Sequence, residues 1–74
     1  MFNWARGLFG KGKVRIKWAG LNEKGQIETG TAKITYVGSY DEDLCFEKLR
    51  KEMRYQFGIT VNPLSLSVVE RIKE

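Results

Sequence analysis

Lys13, Arg15 and Lys17 alternate with Val14, Ile16 and Trp18. Side chains of a strand point to opposite faces in turn, so an extended chain here sends three positive charges to one side at spacings of ~6.6–6.8 Å. That interval is close to the phosphate repeat of an extended nucleic-acid strand. Cations spaced in this way can meet successive phosphates, giving contacts that depend on salt and select little by sequence. Lys11 prolongs the row, and Lys33 widens it from a neighbouring strand. Trp4 and Tyr36 carry rings that can stack on bases if they reach the same surface. The same charges also suit an acidic protein surface, and the same alternation serves as a solvated strand face that keeps sheets from associating.

Catalytic chemistry finds little here. The chain has no histidine and one cysteine, Cys45, which falls within the apolar arc of a helix where a thiol is buried and inert. Asp41, Glu42 and Asp43 occupy a first helical turn, where acids complement the positive end of the helix dipole. Their consecutive run lacks the loop spacing of a calcium site. A single Cys without His excludes a zinc cluster. The glycines of GLFGKGK complete neither nucleotide-binding fingerprint, and a joint before the first strand accounts for them. No catalytic residue, metal or cofactor is therefore assigned, and a non-enzymatic binding module is expected.

The charge is distributed unevenly. The first nineteen residues hold five bases and no acid, whereas the remaining fifty-five hold eight bases against nine acids. A one-sided basic stretch is a handle for a polyanion or an acidic partner. With 42% hydrophobic residues the chain is too apolar for disorder, and 74 residues make one domain. At this size a single core holds about 3–5 kcal/mol at best. No disulfide can form within the chain, so a partner or a second copy is a plausible source of further stability. The lone thiol fits a reducing compartment. No apolar run reaches the ~18–20 residues of a membrane span, and Gly7, Gly10 and the charges after them leave no signal-peptide core. A cytoplasmic protein with no membrane partner is expected.

These side chains must be positioned by a small set of elements. Residues 1–11 form an apolar and basic N-terminal segment, compatible with a short helix or with packing across a sheet. Residues 12–74 read as a ββαβ domain of the α+β class. The alternation at 12–19 predicts the first strand. GLNEKG at 20–25 predicts a hairpin loop, and residues 26–37 the second strand, with a bulge or bend at Gly30. Ser39 with Glu42 predicts a capping box that opens a helix. Cys45, Phe46, Leu49, Met53 and Phe57 lie within an arc of ~120° and form its apolar side. Gly58 predicts its end. Leu64, Leu66 and Val68 alternate, which predicts a last strand over 64–72; a C-terminal helix after Pro63 is the alternative. A right-handed crossover then gives a three-stranded mixed sheet of order 2-1-3, with one amphipathic helix on one face and the basic strand central.

A second candidate surface lies on the helix. Leu44 and Tyr55 fall on its outer side around Lys48, close to Lys51, as a protein contact would require. Two functions follow. The first is a module that contacts nucleic-acid phosphates through Lys11, Lys13, Arg15, Lys17 and Lys33, with Trp4 or Tyr36 stacking. The second is a protein-binding regulator or inhibitor, of the small kind carried by phages and mobile elements, docking its basic face or its helix. A homodimer through an edge strand is compatible with both.

Overall fold

In the computed structural model residues 11–73 are described. The readings of an N-terminal helix, of sheet packing by residues 1–10 and of Trp4 as a stacking ring lie outside the described residues. The described chain is an antiparallel sheet of four strands with one helix on one face. In order these are β1 (Lys11–Leu21), β2 (Ile27–Val37), α1 (Glu42–Phe57), β3 (Thr60–Val61), a 3₁₀ turn (Pro63–Ser65) and β4 (Ser67–Lys73).

The alternation of β1 is realised directly. Val14 and Ile16 are fully buried, Trp18 is nearly so, and the residues between them are exposed or half-buried. β2 pairs with β1 along its whole length, from Lys11 opposite Val37 to Leu21 opposite Ile27. Asn22 closes the hairpin: its side-chain oxygen accepts the N–H groups of Lys24 and Gln26, both at 2.9 Å. Gly25 takes the positive φ of 77° that the turn requires. The bulge expected at Gly30 is absent, because the β1–β2 register is unbroken. Gly30 lies opposite Trp18, and a Cβ there would approach the indole to 3.1 Å, so the glycine makes room for a ring.

A two-residue strand, β3, precedes the predicted last strand, which gives four strands where three were expected. β3 and β4 both pair antiparallel with β1 on the side away from β2. The sheet is therefore not mixed: β2 and β4 run parallel, but β1 lies between them. The order keeps the basic strand central, as expected. The break between β3 and β4 begins at Asn62–Pro63. Asn62 accepts the N–H of Leu64 at 3.0 Å, Pro63 has no N–H to give a ladder, and the chain makes one 3₁₀ turn. Extended structure resumes at Ser67, not Leu64, and the alternative of a C-terminal helix is excluded.

Where the turn interrupts the ladder, the backbone of Ala19 is served by other groups. The Ser65 hydroxyl oxygen accepts the Ala19 N–H at 2.9 Å and lies 3.0 Å from the Ala19 carbonyl, which also accepts the Asn62 N–H at 2.8 Å. One side chain thus spans a gap between strands. A second irregularity follows in β4. Arg15 pairs with Glu70 but Ile16 with Val68, so Val69 is an extra residue, a β-bulge.

The helix starts later than the capping box predicts. Asp41, not Ser39, is the N-cap, and its carboxylate accepts the Leu44 N–H at 3.2 Å. Gly38, at φ 82°, leads the chain out of β2, and Tyr40 packs edge-on against Tyr36, so the helix begins only after that contact. Gly58 ends α1 as predicted, at φ 66°. Its N–H bonds to Arg54, and the Ile59 N–H bonds to Met53. Cys45, Leu49 and Met53 are buried and Phe46 is half-buried. Phe57 departs from the predicted arc: at the last turn it is 61% exposed. Ile59 and Val61, just beyond the helix, complete the core with Ile34.

Removing the Ser65 hydroxyl leaves a part-buried N–H unpaired, at a cost of about 1–3 kcal/mol. Ser65→Ala is expected to lower the melting temperature by roughly 4–8 °C per kcal/mol for a domain of this size. Ser67→Ala, at an exposed position, leaves it unchanged. Thermal melts followed by circular dichroism check both.

Candidate binding surfaces

The odd-numbered residues of β1 face away from α1. Register sets Lys11, Lys13, Arg15 and Lys17 opposite Val37, Thr35, Lys33 and Thr31, and directly opposed residues share a face. Lys33 therefore stands beside Arg15 on the face that α1 leaves open. Lys11, Lys17 and Lys33 are exposed, while Lys13 and Arg15 are half-buried between neighbouring strands. From Lys11 to Lys17 the row covers ~20 Å. Thr29, Thr31 and Thr35 fill the β2 side of this face, and exposed Ile27 and Val37 mark its ends.

Two bases directly opposed repel. On its other side Arg15 meets Glu70 at 3.4 Å, so one cross-strand row reads Lys33, Arg15, Glu70. Both partners of this ion pair are partly exposed, so it offsets repulsion more than it adds stability. Glu70 escapes a sequence reading. Continuing the alternation of Leu64, Leu66 and Val68 would set Glu70 on the helix side. The Val69 bulge shifts the phase, bringing Glu70 to the open face. Arg71 goes to the covered face, where its guanidinium lies 3.9 Å from the centre of the Tyr40 ring.

Tyr36 does not join the basic row. Opposite Gly12 on the covered face, it packs there against Tyr40 with ring centres 5.2 Å apart. A Cβ on Gly12 would collide with the Tyr36 ring, so that glycine too is a seat for an aromatic. Among the described residues no aromatic ring lies on the open face.

The second candidate surface keeps its helical spacing. Leu44, Lys48, Lys51 and Tyr55 form one stripe along α1, about 16 Å long at 1.5 Å per residue. Leu44 is 63% exposed and Tyr55 86%. Lys51 pairs with Glu47 one turn earlier at 3.1 Å. Lys48 reaches over to β2 and donates to the Thr35 carbonyl at 3.3 Å. This stripe lies on the helix side of the sheet, away from the basic row, so the two candidates are separate surfaces.

Cys45 is a buried free thiol. Burial, and next the Asp41 carboxylate, push its pKa up, which keeps it in the unreactive thiol form. Burial, and next Glu42, likewise raise Tyr40, whose hydroxyl is buried with no hydrogen-bond partner. Among the described residues no three Cys, Asp or Glu side chains are grouped to hold a metal ion, and no helix is long and apolar enough to cross a membrane. No protein-family model, curated protein or solved structure matches the chain.

Both raised groups are acids that the fold keeps neutral. Their contribution is intact below the unfolded pKa, about 8.5 for a thiol and about 10 for a phenol, and is lost as pH rises through the folded value. The melting temperature is expected to fall above about pH 8.5. The fall between about pH 8.5 and 10 is expected to be shallower in Cys45→Ala. A series of melts between neutral and alkaline pH checks this.

Proposed function

We propose that this chain is a non-enzymatic binding module whose open sheet face contacts the phosphates of an extended nucleic-acid strand. The observation that carries the reading is the β1–β2 register, which sets Lys33 beside Arg15 on the same face as Lys11, Lys13 and Lys17. Among the described residues that face carries five bases and one acid, Glu70, so its local charge is positive. Without a ring for stacking among the described residues, the contact is electrostatic. It follows the backbone, discriminates weakly between sequences and weakens steeply with salt. A cytoplasmic setting suits such a module.

A second reading has an observation of its own. Leu44 and Tyr55 expose apolar surface on α1 that phosphate binding does not use, and a regulator docking on a larger protein would use it.

Lys17→Glu combined with Lys33→Glu tests the first reading, because both side chains are exposed. Binding of a labelled single-stranded oligonucleotide, read by fluorescence anisotropy, is expected to weaken at least about 10-fold. The slope of log affinity against log salt is expected to shrink by roughly 1.4, at ~0.7 per lost phosphate contact. The circular dichroism spectrum stays unchanged. Equal binding by the variant, or none by the wild type at low salt, rejects the reading. In that case a pull-down whose protein partner survives nuclease and is lost in Leu44→Glu/Tyr55→Glu supports the second.

A further inference from the structure

We propose that the outer edge of β2 is the seam of a homodimer, with β2 pairing antiparallel to β2 of a second copy about a two-fold axis through Ala32. Among the described residues nothing pairs with this edge, and its strand is eleven residues long and unbroken. The other edge is a poor template: β3 has two residues, and β4 is bulged at Val69 and separated from β3 by the 3₁₀ turn.

The direction of the free hydrogen-bonding groups follows from one contact. Lys48 reaches the Thr35 carbonyl from outside the sheet, so Thr35 presents its backbone to the outer edge. In an antiparallel strand every second residue does the same, so Thr29, Thr31 and Lys33 also present N–H and C=O outward. A carbonyl has two lone pairs, so the Lys48 contact and a strand partner can share Thr35.

The occupant is argued from the sequence of β2 itself. A two-fold axis at Ala32 pairs Ile27 with Val37, Thr29 with Thr35 and Thr31 with Lys33 of the second copy. The exposed aliphatic ends, 77% and 61% accessible, meet each other, and the like-charged lysines are offset diagonally. An axis at Lys33 would set two lysines face to face, and an axis at Thr31 would leave Val37 without a partner. Apolar exposure on the helix side also flanks this edge. Phe57 lines a cleft of about 430 Å³ with Trp18, Thr29, Ala32 and Met53, and Leu44 lines another with Thr35 and Val37. The same two-fold brings the Leu44 end of one helix to the side of the other that carries Phe57. An unrelated strand would have no reason to match β2 in reverse order residue by residue; a second copy does so by symmetry.

Sedimentation of the full chain over about 1–200 μM tests the assembly, in the range where a marginal interface titrates. The wild type is expected to form a dimer. Thr31→Pro is expected to shift it to monomer with its circular dichroism unchanged, because the lost N–H faces outward. A second variant does not depend on tolerance of proline. Ala32 meets its own copy in a non-hydrogen-bonded pair with Cα atoms ~4.5 Å apart, within disulfide range, and the adjoining cleft has room for a sulfur. Ala32→Cys is therefore expected to form a covalent dimer on mild oxidation. Thr35→Cys, about 20 Å from its own copy in this register, is not. A wild type that stays monomeric at every concentration, a folded Thr31→Pro that still dimerises, or Thr35→Cys cross-linking as readily as Ala32→Cys overturns the proposal.

Discussion

Among the described residues, every strand of the sheet is hydrogen-bonded to β1 and to no other strand. That single dependence fixes most of what the molecule can present. Being central, β1 must satisfy its backbone on both sides, and its alternation must serve two surfaces at once. Val14, Ile16 and Trp18 anchor the helix from one face, and the basic side chains emerge from the middle of the other rather than from its rim. A change that shifted β1 by one residue would exchange core and charge together. Folding and surface chemistry therefore share one register.

Helix contacts and backbone devices hold the third track of the sheet against β1. Leu49 is fully buried, and Ile59 and Val61 are nearly so, carried by the short segment that leaves the helix. The missing side chain of Gly20 lets β3 approach: a Cβ there would lie 2.6 Å from the Thr60 carbonyl oxygen. The Ser65 hydroxyl then covers the gap that the Asn62–Pro63 turn opens. At this break the Ala19 N–H and carbonyl and the Asn62 N–H all keep hydrogen-bond partners.

The parts that were legible in the sequence are those with a period or a terminator. The two-residue period of 12–19, the apolar arc of Cys45, Leu49 and Met53, and the stop at Gly58 each repeat or end a pattern. Crossover handedness then ordered the strands. β3 was hidden because two residues carry no period, and its pairing depends on an absent side chain at Gly20. Gly30 misled because a glycine within a strand marks either a bulge or a close approach, and only the ring of Trp18 opposite decides between them. In the candidate site, the common face of Lys33 and Arg15 followed once the hairpin register was assumed. The neutralising Glu70 did not, since the bulge at Val69 carries no glycine to announce it. Tyr36 lies three residues from Lys33, so the two-residue period alone sets the two on opposite faces; what stayed hidden is its seat, Gly12, which reads by itself as part of a joint.

The Val69 bulge also makes the regularity of the ladder a determinant of electrostatics. Glu70 and Arg71 are adjacent and opposite in sign, and whether Val69 is bulged out or paired decides which of them reaches the open face. Were the same chain to pair without the bulge, Val69 would take the place of Glu70 opposite Arg15, and the phase of β4 beyond it would reverse. The arginine would join the basic row, and the carboxylate would turn toward Tyr40. The open face would move two charge units toward the positive with no residue exchanged for another. Loss of the bulge with every residue kept would therefore alter polyanion affinity more than many substitutions, and an inventory of charged residues would miss the reason.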